Sequence, residues 1–334
     1  MHSLEQEGFS KSDTNFLRFV AILLIINSHL DSYYPIPYFG TGGAMGNSLF
    51  FVLSSFGLLL SERNNPRLFT DWYTQRIKRI YPTVWIVLII LTFPYKLYMN
   101  AFDIKNILVF LGYFFYPPFW FLQVLMLYYF LIFFIIKKFN IRKIYYCLFA
   151  LSVLYAFIYI NYLDLTKWSI EDDPFQYIFY LMIFIFGVFL AERNDKIQYS
   201  GLQDWGLLFL SVFIIYGHKF LMLKGIASSF QFIQHLFIFP FIYYFFKVSR
   251  SGLIQTNIMK LPAVSTIINY ISNLTLELYL VHLYVIIFII KLKLPFPMNI
   301  IVVLIVTLII SASVKFLSNL IFFSTTNISR NSAK

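Results

Sequence analysis

The residues of this chain best placed to do chemistry are ionisable side chains inside apolar stretches, where each costs several kcal/mol unless paired or hydrated. The first such stretch holds Arg18 and His29. On a helix, eleven residues turn through ~1100°, which leaves the two side chains ~20° apart on one face and ~16 Å apart along the axis. Taken singly, Arg18 is open between a snorkelling anchor and a ligand contact. His29 is open between an interhelical hydrogen bond and a base. Together they suit a long anionic ligand that enters at the arginine and reaches inward to the imidazole. His235 and His282 also fall in apolar runs, and for both, core packing with a satisfied hydrogen bond stays open beside a site role. Thr275, Tyr279 and His282 form one stripe at helical spacing, while Glu277 projects elsewhere and suits a basic partner nearer the cytoplasm. No His-x-x-x-His or Glu-x-x-His pair occurs, so neither zinc nor a di-iron centre is expected. Cys147 is the sole cysteine, which excludes an intrachain disulfide.

Two other clusters carry polar chemistry. Arg76-Ile-Lys-Arg79 precedes Ile80-Tyr81-Pro82, with its arginines three apart on one helical face. The cluster is either topogenic charge or a phosphate clamp, since guanidinium groups chelate phosphate oxygens well. Gly40-Thr-Gly-Gly-Ala-Met-Gly46 runs into Phe50-Phe51-Val-Leu-Ser54-Ser55-Phe56. So many small residues permit close backbone approach, and free amides there could face a developing oxyanion. Ser54, Ser55 and Tyr279 are weaker nucleophile or hydrogen-bonding candidates.

These residues must be positioned by membrane helices. Of 334 residues, 60% are apolar and only 12% are charged, against about 25% charged in soluble domains. Spans of about 20 apolar residues are expected near 16–34, 45–62, 80–99, 118–136, 143–162, 174–191, 203–219, 228–247, 268–290 and 298–323, with 104–116 a re-entrant or interfacial candidate. The fold expected is therefore all-α and polytopic, with about ten transmembrane helices in a single domain, 1–334. Residues 1–15 and 324–334 would form short cytoplasmic ends. With both termini cytoplasmic, the inside segments hold 17 Lys and Arg and the outside segments 7, as the positive-inside rule requires. The net charge of +11 is thus topological, and its short clusters do not form a nucleic-acid footprint. A transporter or flippase of lipid-linked glycans also needs many spans. It would spread polar residues along a lumen, whereas here they gather at a basic cytoplasmic rim and an outer histidine level.

The chain resembles the membrane-bound acyltransferase-3 family, which acylates cell-surface polysaccharides. The resemblance rests on Arg18-x10-His29, on Phe50-Phe51-x-x-Ser54-x-Phe56, on Arg76-x-x-Arg79, on Trp120-Phe-Leu and on Leu276-Glu-Leu-Tyr279-Leu-Val-His282. Ser55 stands where the family most often has Gly, and no Glu follows Trp120, where Leu125 and Met126 lie. These departures favour the Trp-Phe-Leu branch, and no appended extracytoplasmic domain is expected, which makes the stand-alone type the expectation. The resemblance implies a multi-pass protein of the bacterial cytoplasmic membrane with no permanently bound cofactor. It implies acyl-CoA, usually acetyl-CoA, as donor and a surface polysaccharide or lipid-linked glycan as acceptor. It also makes His29 the base, with His282 and Tyr279 as catalytic candidates, and gives Arg18, Arg76, Arg79 and Ser54 to the donor.

Overall fold

In hydrocarbon no water is available to the backbone, so each apolar run must satisfy its own amides, and a helix is the way to do so. The computed structural model describes residues 9–99, 104–138, 141–171, 174–226 and 228–323, with no strand among them. The helices are α1 (Lys11–Ser28), α2 (Gly43–Asn64), α3 (Phe69–Val87), α4 (Phe93–Tyr98), α5 (Ile104–Gly112), α6 (Trp120–Lys138), α7 (Ile141–Tyr162), α8 (Phe175–Glu192), α9 (Leu202–Leu223), α10 (Phe232–Ser249), α11 (Pro262–Asn273), α12 (Thr275–Ile289) and α13 (Met298–Ser318). Nine helical stretches among the described residues, from Pro37–Asn64 to Met298–Phe322, are long and apolar enough to cross a membrane. The protein is an all-α polytopic membrane protein. Those nine match the expected second to tenth spans. The expected first span is occupied by α1, whose 18 residues include three charged side chains, Lys11, Asp13 and Arg18.

Contacts divide the chain into two compact units. The first comprises Met1–Ala21, Ala44–Pro66 and Tyr128–Ser272. Its helix ends are tied by ion pairs, Arg63 to Glu192, Lys137 to Glu62 at 2.5 Å and Lys247 to Asp204 at 2.6 Å. Within it α2 and α8 touch through Gly187, whose missing side chain leaves room for Val52 and Ser55. His235 lies here, stacked on Phe179 with ring centroids 3.6 Å apart and bonded through Nδ1 to the Tyr155 hydroxyl at 2.9 Å. It is a packed core histidine.

The second unit comprises Ile22–Gly43, Arg67–Leu127 and Asn273–Lys334. The buried face of α13 is Asn299, Val303, Thr307, Ser311, Val314 and Ser318, a stripe of modest side chains that lets α12 and α3 approach closely. Two elements differ from the expected spans. The third span begins at Phe69 and is continuous to Tyr98, passing through a wider π turn at Leu88–Thr92. That turn accommodates Pro94, which lacks an N–H and crowds the preceding carbonyls. The ninth span is split at Leu274, so α12 begins at Thr275 and not at 268. Lys315 stabilises the break by donating to the Asn273 carbonyl at 2.8 Å and pairing with Glu277 at 3.3 Å. Glu277 thereby has the basic partner its position called for. The stretch 104–116 turns back as a re-entrant segment does. Phe110 packs on Phe93 near the far end of the third span, while the carbonyls of Phe114 and Phe115 accept hydrogen bonds from Trp85 and Tyr81 at its middle.

Candidate active site

The end of α1 sets the site. Its last turn tightens, the His29 amide donating to the Ile26 carbonyl at 3.1 Å, and the helix stops at Ser28. The chain then makes two short 3-10 turns, Asp31–Tyr33 and Pro37–Phe39. Asn27, two residues before His29, clamps this loop by donating to the Phe39 and Thr41 carbonyls at 2.7 and 2.8 Å. Its Oδ1 accepts from the Tyr34 hydroxyl at 2.6 Å. The loop is also fixed from outside. Tyr33 donates to the Ile286 carbonyl of α12 at 2.6 Å, and Asn299 of α13 donates to the Tyr33 carbonyl at 2.8 Å. Gly40 completes the fold of the loop, because a Cβ there would sit 2.4 Å from the Asp31 backbone.

So held, the His29 ring stands 5.1 Å from the His282 ring, tilted by 45°. The two imidazoles differ in kind. The His29 side chain is exposed and its ring makes no hydrogen bond among the described residues. His282 is 1% exposed, and its Nδ1 lies 3.1 Å from the Leu278 carbonyl one turn back. A carbonyl only accepts, so Nδ1 carries the proton and Nε2 presents a lone pair. That buried Nε2 has no hydrogen-bond partner among the described residues. Leaving such an atom unsatisfied costs about 1–3 kcal/mol, a cost natural structures carry where the atom has work to do. With α12 starting at Thr275, His282 lies ~10 Å along the helix from its first residue.

Tyr279 joins the pair, its ring 5.9 Å from His282 and 5.0 Å from Phe121 of the Trp120-Phe-Leu run. Arg76 and Arg79 stand on α3 in this same unit. Arg76 is half-buried over the Trp72 ring at 5.3 Å, and Arg79 is exposed. Tyr73 and Ile80, to either side of Arg76, line a cavity of about 250 Å³ with Tyr81, Tyr116 and Gln123. Arg18 and Ser54 are half-buried members of the first unit, on α1 and α2. The structure thus brings His29, His282 and Tyr279 together, and sets Arg76 and Arg79 on one helix. No cluster of His, Cys, Asp or Glu able to hold a metal occurs among the described residues.

The pattern of an acyltransferase domain, acyltransferase-3, matches residues 12–315. The chain belongs to the acyltransferase-3 family. Neither a curated protein nor a solved structure gives a match. As an acyltransferase-3 protein it is an acyltransferase, and its paired histidines and Arg76–Arg79 helix all lie within the matched range. Asn27, Tyr33 and Asn299 were not anticipated as parts of this acyltransferase's site. Two of them carried a signal, since Asn27 and Asn299 are amides inside apolar runs. Tyr33 carried none, because 25 tyrosines crowd the sequence.

Proposed function

We propose that this acyltransferase moves an acyl group, acetyl by preference, from cytoplasmic acyl-CoA to a hydroxyl of a surface polysaccharide or lipid-linked glycan across a bacterial cytoplasmic membrane. The observation that carries the reading is the contrast between the accessible His29 imidazole and the buried, tautomer-fixed His282 beside it. His29 removes the proton of the acceptor hydroxyl, whose oxygen attacks the thioester carbon. The carbon–oxygen bond forms, the carbon–sulfur bond breaks, and the CoA thiolate takes its proton from the His29 imidazolium. The unpaired Nε2 of His282 orients His29 or the incoming hydroxyl by accepting a hydrogen bond, and Tyr279 buttresses His282 through its ring. Arg76 and Arg79 take the donor's phosphates, for which forked guanidinium groups are suited. The neighbouring cavity along α3 offers room for part of the pantetheine arm.

The test is reconstitution with labelled acetyl-CoA inside proteoliposomes and envelope glycan outside. Transfer of label to glycan that depends on the protein is the expected result. Translocation of a lipid-linked glycan without acyl transfer would replace the reading with a transporter.

A further inference from the structure

The first unit contains a second cavity, of about 420 Å³, between α7, α8 and α10. It falls within the range of ligand pockets. Its walls come from the halves of these helices nearest the 163–171 and 228–231 loops, including Tyr155, Ala156, Tyr159, Phe179, His235 and Phe239. The opposite ends carry Lys143, Arg193 and Lys247, so the charge asymmetry puts the cavity in the outer half of the bilayer.

Three features define an occupant. First, the wall's polar groups already have partners. Tyr155 bonds His235, Tyr159 donates to the Ser229 carbonyl at 2.7 Å, and Ser152 donates to the Leu148 carbonyl at 2.8 Å. An occupant therefore needs to offer few hydrogen bonds. Second, the flanks face hydrocarbon, with Ile160 74% and Leu236 55% exposed within membrane spans. An occupant enters sideways from the bilayer, because the outer end is roofed. There the buried Gln231 accepts from the Ser169 amide at 3.0 Å and donates to the Lys167 carbonyl at 2.6 Å. Third, the roof is a charged loop. Lys167 sits 3.9 Å from Asp164, and Glu171 lies in the same loop, so its described residues hold two carboxylates and one amine. Hydrogen bonds from Thr166 hold the Asp164 carboxyl below its usual range, which keeps it ionised. Such a rim disfavours an anionic headgroup and favours one with an ammonium beside its phosphate.

We propose that this cleft seats one acyl chain of an outer-leaflet zwitterionic phospholipid, with its phosphate toward Lys167 and its ammonium toward Asp164 and Glu171. The site is independent of the acyl-transfer reading, because it lies in the other unit and its test uses no activity.

The test is native mass spectrometry of the full-length protein purified with defined lipids. One phosphatidylethanolamine is expected to stay bound, in preference to phosphatidylglycerol. Ala156→Trp, which fills the cleft, is expected to reduce retention about tenfold or more, the loss for displacing two buried methylenes. Ser152→Phe repeats the test from another wall position, and Phe209→Trp on the exposed face of α9 is the control with retention unchanged. Thermal unfolding shows that the variants are folded. Equal retention by the filled variants would overturn the site. Equal retention of the two headgroups would overturn the charge argument, and displacement by a polyprenyl phosphate would give the cleft to a lipid carrier.

Discussion

A single methyl group tests the packing of the first unit. A Cβ on Gly187 of α8 would lie 2.1 Å from Ser55 Oγ, 2.5 Å from the Val52 carbonyl oxygen and 2.9 Å from Val52 Cα. The Ser55 hydroxyl can rotate away; the Val52 backbone cannot. Carbon contacts are comfortable at about 3.5 Å or more, so in Gly187→Ala the helices α2 and α8 must part by roughly 1 Å. Overpacking of this kind costs about 1–3 kcal/mol. Against it stands the gain of about 0.5–1 kcal/mol that alanine brings to any helix interior. Gly217 on α9 isolates the packing cost, because a Cβ there meets nothing within 4 Å. The propensity gain is common to both substitutions, so Gly187→Ala should be less stable than Gly217→Ala by about 1–3 kcal/mol. Reversible unfolding of the two variants in mixed detergent, followed by tryptophan fluorescence, measures the difference. Equal stability, or a stabilised Gly187→Ala, would refute the α2–α8 contact.

The other predictions concern the site. Gly40→Ala forces the Asp31 backbone, two residues from His29, to move by about 0.6 Å or more from its 2.4 Å approach, and a 1 Å misplacement of a catalytic group costs up to ~100-fold in rate. Acyl transfer should fall while the unfolding midpoint changes little; full activity would separate this loop from the chemistry. Lys315→Ala strands the buried Glu277 carboxylate and should cost up to about 3 kcal/mol, less than a fully buried pair because Lys315 is partly exposed. Adding Glu277→Gln should restore most of that stability, and an additive double variant would contradict the pairing. His282→Phe keeps an aromatic ring but removes the free Nε2, so kcat should fall with KM for acyl-CoA nearly unchanged. A change in KM alone would place His282 in donor binding.

Much of this was legible before any coordinates. Apolar runs fix membrane helices because the bilayer admits so few backbone solutions, and nine of ten expected spans coincide with helices of the required length. Glu277 was rightly expected to find a basic partner, whereas the eleven-residue helical spacing of Arg18 and His29 was cut short by the end of α1 at Ser28. What the sequence hid was local and depended on pairing across the fold. The break at Leu274 is stabilised by Lys315, 41 residues on in the chain and on another helix, and no propensity encodes that contact. The meeting of His29 with His282 likewise depends on a loop held by Asn27, Tyr33 and Asn299. Periodicity was silent in the spans, since nearly every position is apolar and buried and lipid-facing sides look alike.

The central claim is that the His29 imidazole handles the proton in acyl transfer. The most direct measurement compares wild type with His29→Ala under saturating labelled acetyl-CoA, with and without added imidazole. Loss of a general base removes about 10²–10⁴ in rate, and because His29 is exposed, free imidazole should restore part of it. Undiminished transfer by folded His29→Ala would contradict the account.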